Sequence, residues 1–368
     1  MNNFARIGFT VATVVLCLAG CHRNESTGTQ SAAHASMDRT AFNKRAVELF
    51  LPLFWSEDAN QNRALDPDEL AVLNGYPRDQ RSVWIDSSGQ FTAEFRSAYE
   101  RMQQPTPMPD DPAEQTRRKL VLEELAQGRP TLVATDEHDA PAAEKNFVSH
   151  MLKVGELTER LYARQKGVFD MEARIPDDDP ASHALFHRNQ SPFCQAPRTE
   201  GNPACTAVVP KPARAVGLYP AELQNSADFC SVLEKQPNAS ELMDHFSIVV
   251  AGDKAGTYRA VPYSQAYSDD MQAVAAELEA AAGALGEDEA ALKHYLLTAA
   301  ESFRTNDWEP ANVAWVAMNA QNSKWFVRIA PDEVYYDPCA WKAGFALELA
   351  HINPQSVEWQ RKLDPLKG

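Results

Sequence analysis

The sequence predicts a helix-rich α+β protein in two parts: a small helical module over residues 39–104 and a larger mixed α/β domain over residues 114–368. Three observations carry this. Length and composition come first, because 368 residues at 44% hydrophobic content can bury more than one core. Next, residues 105–113 concentrate prolines and aspartates between two stretches of helical periodicity, as a linker does. Last, the texture changes after Tyr219 from amphipathic helices to helices alternating with short apolar runs of strand type.

In chain order, residues 1–20 read as a leader. Arg6 is the one charge ahead of the apolar run 7–18, which is too short to span a bilayer. Leu18-Ala19-Gly20-Cys21 resembles the lipobox of bacterial lipoproteins. That resemblance implies cleavage before Cys21 and acyl chains on its thiol and new amine, which together anchor a protein stably to a membrane. Residues 21–38 are small and polar and read as a flexible tether. His22 in the place after the cysteine implies the outer membrane, facing the periplasm. The formal net charge is −16, and loss of Arg6 with the leader makes it one unit more negative. Such a surface repels polyanions, so nucleic-acid partners are excluded.

Residues 58–69 read D-A-N-Q-N-R-A-L-D-P-D-E. Oxygen donors stand at positions 1, 3, 5, 7, 9 and 12: Asp58, Asn60, Asn62, the Ala64 carbonyl, Asp66 and Glu69. This is the EF-hand pattern, and it implies Ca²⁺, a hard cation taking six to eight oxygens. Leu65 at position 8 is the apolar contact, and an exit helix is expected over 67–74. Arg63 stands where glycine is usual. The positive φ of that turn then costs roughly 1 kcal/mol, and affinity falls in the ~10⁻⁴ to 10⁻³ M range. Asp66, Pro67 and Glu69 also satisfy the rules for a capped helix start without metal. Helices are expected over 40–55 and 92–102, with Phe42, Ala46, Leu49, Phe50 and Leu53 on one face and Pro52 kinking the first. The shorter run 86–94, D-S-S-G-Q-F-T-A-E, reads as a companion loop that packs through Phe91 instead of wrapping an ion.

In the larger domain, 114–127 reads as a helix stopped by Gly128. A longer helix over 142–167 carries Phe147, Met151, Val154, Leu157 and Leu161 as a core stripe. Asp177-Asp178-Asp179-Pro180 is a turn and helix start. In an oxidising compartment, Cys194, Cys205, Cys230 and Cys339 are disulfide candidates. Cys194 with Cys205 is the first pairing, leaving Cys230 with Cys339; the other two connectivities stay open. A zinc alternative would use His183 and His187 with Cys194 and Cys205. It lacks the glutamate of a zinc peptidase helix, because Ala184 follows His183. Strands are expected over 246–251 and 257–261 around Gly252, and over 325–329 and 344–350. Helices are expected over 263–285 and 288–304. The chain carries no phosphate loop, dinucleotide fingerprint or nucleophile elbow.

Four segments carry a further resemblance: residues 258–267 (Y-R-A-V-P-Y-S-Q-A-Y), the helical pair after them, Asn306-Asp307-Trp308 on to Trp315, and Ile329-Ala330-Pro331-Asp332-Glu333-Val334-Tyr335. Over roughly 150–365 the chain is similar to the dipeptidyl peptidase III-like metallopeptidases. The resemblance implies that Glu333 holds a peptide's free amine, and that the Tyr335 phenol donates to the scissile carbonyl as it becomes an oxyanion. The family's zinc comes from a helix carrying His-Glu-x-x-x-His and a following Glu, and no such motif occurs in this sequence. Zinc is therefore not expected on this chain, nor hydrolysis from Glu333 and Tyr335 alone. The leading expectation is a non-catalytic, membrane-anchored calcium-binding lipoprotein of the periplasm. The alternative is a truncated or split peptidase of that family, with a peptide ligand or a separate catalytic chain as partner.

Overall fold

A computed structural model describes residues 37–135 and 139–366. The leader, the lipidation candidate Cys21 and nearly all of the tether lie outside the described residues. What is described is a helix-rich α+β protein, and no helix in it is long and apolar enough to cross a membrane.

Helix α1 (Arg39–Glu48) begins where the Asp38 side chain accepts the Ala41 N–H at 2.8 Å. It stops well short of the expected residue 55. Phe50 turns to φ +50°, Pro52 cannot continue a helix, and the chain passes into strand β1 (Leu53–Trp55). β1 pairs antiparallel with β2 (Leu70–Val72), Leu53 opposite Val72 and Trp55 opposite Leu70. The exit helix expected over 67–74 is therefore a strand. Too few residues lie between Pro67 and the Asn74-Gly75 turn to offset helix nucleation, whereas pairing satisfies the backbone and buries Leu70. Helices α2 (Arg81–Trp84) and α3 (Ala93–Gln103) follow, α3 capped by Thr92. The short loop between them closes with Phe91 stacked on Phe95, ring centres 3.9 Å apart. Phe42, Trp55, Leu65, Trp84, Phe95 and Tyr99 share one dry cluster beneath these elements.

Helix α4 (Pro112–Leu125), capped by Asp111, packs on α6 (Pro180–Asn189), capped by Asp179. Arg117 on α4 is buried and pairs with both Glu114 and Asp179. Glu124, also on α4 and fully buried, accepts the N–H groups of Gln195 and Ala196 at 3.1 Å. It thereby fixes the loop that carries Cys194. Helix α5 (Ala142–Gln165) presents the expected stripe to the main core, Phe147, Met151, Val154 and Leu161 being fully enclosed.

After the short helices α7 (Phe229–Glu234) and α8 (Ala239–Leu242), β3 (Ser247–Ala251) and β4 (Tyr258–Pro262) form an antiparallel hairpin. The helix expected over 263–285 is broken at Tyr267 into α9 (Tyr263–Ala266) and α10 (Ser268–Ala284). α10 packs between α5 and α11 (Ala290–Thr305), and α12 (Glu309–Val316) caps α11. Strands β5 (Trp325–Glu333) and β6 (Gly344–His351) form a second hairpin against α5, and α13 (Pro354–Leu363) follows. Cys194 bonds to Cys205 and Cys230 to Cys339, as the first pairing expects. Both sulfurs of the zinc alternative are thus consumed, and that alternative is withdrawn.

Candidate functional site

A cleft of about 580 Å³ opens between α5 and the β5–β6 hairpin. The sequence places a bulge at its rim. Pro331 offers no N–H to the ladder, the register shifts between Pro331 and Glu333, and the strand end turns outward. Glu333 consequently faces solvent at the lip, and Tyr335 beyond it is 84% exposed. The two nominated residues stand together. The Glu333 carboxylate raises the pKa of the Tyr335 phenol, so this phenol is a neutral donor around pH 7.

The floor is aromatic. Tyr336 meets Tyr162 of α5 edge-on, ring centres 5.4 Å apart. Burial raises the pKa of both phenols. Gly344 makes this packing possible, since a Cβ there would lie 2.6 Å from Tyr336 Cε1 and 3.3 Å from Tyr162 Cε2. Phe345 and Leu347 of β6 and Glu159 of α5 complete the walls.

The loop behind the lip is fixed from below. Asp337 accepts the Tyr219 hydroxyl at 2.9 Å and the N–H groups of Trp341 and Lys342 at 2.8 Å. Lys342 is fully buried, and its Nζ donates to the carbonyls of Leu242 and Asp244 at 2.7 Å and to Ser247 Oγ at 2.9 Å. Desolvation pulls its pKa down to about 8. Together with the Cys230–Cys339 bond, these contacts hold Glu333 and Tyr335 on a rigid base. Sequence reasoning passed over Tyr162, Tyr336, Asp337 and Lys342. Tyr336-Asp337-Pro338 looked like a simple turn, and nothing local says that its carboxylate organises the Tyr219 hydroxyl and the N–H groups of Cys339, Trp341 and Lys342.

In the 58–69 loop, Arg63 adopts φ +60°, the conformation its position demands. Asp58 Oδ2 accepts the Arg63 N–H at 3.2 Å, while Asp58 Oδ1 is buried with no hydrogen-bond partner. Asn60 and Asn62 both donate to Asp66 Oδ2 at 2.7 Å, which gathers positions 3, 5 and 9. Glu69 is held by N–H donors of the loop and of Trp55. It is 3% exposed and accepts from Ala59 N at 2.7 Å, Trp55 Nε1 at 3.1 Å and Asp66 N at 3.2 Å. Ala64 is buried, and its N–H is held by Asn62.

Among the described residues, no three or more His, Cys, Asp or Glu side chains stand close enough together to hold a metal ion.

No protein-family model matches the chain, and no curated protein does. Two solved structures are similar in fold. Dipeptidyl peptidase III from Caldithrix abyssi superposes with a TM-score of 0.56 at 21% identity, over 67% of this chain and 46% of that one. Dipeptidyl peptidase III from Corallococcus sp. strain EGB gives 0.56 at 22% identity, over 70% of this chain and 47% of that one. This chain thus spans less than half the length of either, and what it shares with them is the fold.

Proposed function

We propose that the cleft binds the free amino end of a peptide, in a protein built on part of the dipeptidyl peptidase III fold. The observation that carries this reading is the meeting of Glu333 and Tyr335 at the lip of the 580 Å³ cleft. The incoming ammonium takes the Glu333 carboxylate in place of the phenol, so that a full positive charge replaces a neutral donor on the anion. Tyr335, released, donates to a backbone carbonyl of the same peptide. Tyr162, Phe345 and Leu347 supply an apolar wall for its first side chain. Cleavage belongs to this reading only with zinc ligands from outside these 368 residues, as in a split peptidase. Calorimetry with tetra-alanine and its N-acetylated form is the test. Acetylation removes the charge Glu333 reads and is expected to weaken binding about tenfold, or ~1.4 kcal/mol. Equal affinity for the two peptides would refute it.

A second reading concerns the 58–69 loop and rests on the buried, unpartnered Asp58 Oδ1. Such an oxygen is costly unless something binds it. Ca²⁺ there would draw on Asp58, Asn60, Asn62, the Ala64 carbonyl, Asp66 and, after release from its N–H partners, Glu69. The Trp55 indole bond to Glu69 makes Trp55 fluorescence the natural reporter. Saturable calcium binding in the ~10⁻⁴ to 10⁻³ M range, lost in Glu69→Gln, is expected. A response indifferent to Glu69 would leave the loop a structural turn. The compartment belongs to this proposal as well: a lipid anchor on Cys21, outer membrane, facing the periplasm. The two disulfides support an oxidising location.

A further inference from the structure

A second cavity, of about 440 Å³, lies where the N-terminal module meets the larger domain. Phe50 enters from the module, Glu159 and Arg160 from α5, Glu172 from the turn at Glu172–Arg174, and Phe186 and His187 from α6. Phe50 holds a left-handed backbone, φ +50°, that aromatic residues rarely adopt. Its ring stacks on His183 at 5.8 Å and also meets His187 and Tyr76 at 5.5 and 5.2 Å. The ring is thus fixed in the cavity wall by contacts from both parts of the chain.

Charge and apolar surface are divided unevenly here. Of the three carboxylates here, Glu156 pairs with Lys153 at 2.5 Å, and the one lining guanidinium, Arg160, pairs with Asp270 at 3.0 Å, which among the described residues leaves Glu159 and Glu172 facing the cavity without a guanidinium or ammonium partner. Neighbouring His183 keeps the Glu172 pKa below the ordinary carboxylate range. The face of Phe169 is taken by Arg164 at 3.9 Å, which leaves Phe50 and Phe186 as the aromatic wall. A hydrogen bond from Gln190 Nε2 to Glu159 Oε1, 3.1 Å long, stands between this cavity and the peptide cleft, and both residues line both spaces.

We infer that this inter-module cavity is a second ligand site, taking a protonated amine carried on an aromatic or branched apolar body. The apolar part lies against Phe50 and Phe186, where burial of apolar surface favours it. The ammonium points to Glu159 and Glu172, the charge-assisted partners at the polar side. A neutral ligand of the same shape would gain no ion pair with Glu159 or Glu172, which already have Gln190 and His183 as partners, so charge is the specificity element.

The test is calorimetric titration of the full chain with 2-phenylethylammonium, with 2-phenylethanol as the uncharged isostere. Saturable binding of the amine is expected. It should weaken about tenfold for the alcohol and in Glu172→Gln, and saturable binding should persist in Glu333→Gln. Glu172 is a solvent-reaching side chain, so circular dichroism should find the variant folded. Equal binding of amine and alcohol, absence of saturable binding, or loss of binding in Glu333→Gln would each overturn the inference. The last outcome would place the amine in the peptide cleft instead.

Discussion

At the scale of single residues, the candidate site depends on one missing side chain. Gly344 leaves room for Tyr336 and Tyr162 to close the cleft floor, and a methyl group there would overlap Tyr336 Cε1 at 2.6 Å. Gly344→Ala is expected to destabilise the fold by about 1–3 kcal/mol, as overpacking does, and to weaken peptide binding with it. Thermal unfolding and calorimetry on the same variant check both, and an unaltered melting temperature would show that the tyrosines yield without cost. Residue chemistry was partly legible. Glu333 and Tyr335 came from a motif, and the ligand spacing from Asp58 to Glu69 from a pattern of oxygens. Lys342 and Asp337 were not legible, because their partners at Leu242, Ser247 and Tyr219 lie about a hundred residues away in sequence.

At the scale of elements, α4 and α6 are joined by a buried ionic network. Arg117 holds the Glu114 pKa down to about 2, against an ordinary 4.5. A depressed carboxylate stabilises the folded state fully above its unfolded pKa and loses that contribution as pH falls through its folded value. Stability from this pair should therefore decline between about pH 4.5 and 2. Glu114→Gln should flatten that part of the profile in urea denaturation; an unchanged acid limb would mean the Glu114–Arg117 pair contributes nothing. Long periodic elements such as α5 were readable from the sequence, since one apolar stripe decides them. Short elements followed tertiary context. β2 reads locally as a helix start, but pairing with β1 and the Asn74-Gly75 turn decide otherwise.

At the scale of the whole molecule, the Cys230–Cys339 bond spans 109 residues and ties the lip of the cleft to the helices beneath it. Replacing both cysteines with serine is expected to cost about 2–5 kcal/mol and to loosen peptide binding. Denaturant unfolding measures the first effect, and a midpoint equal to wild type would show that the bond is dispensable. The module that carries the 58–69 loop adds the second cavity, because Phe50 reaches across from it. The central claim is that Glu333 reads a peptide's free amine. A double-mutant cycle measures this most directly, with free and N-acetylated tetra-alanine titrated into wild type and Glu333→Gln. If the carboxylate and the amine form one contact, removing both costs no more than removing either, and the two losses fail to add. Additive losses, or a Glu333→Gln protein that still distinguishes the two peptides, would contradict it.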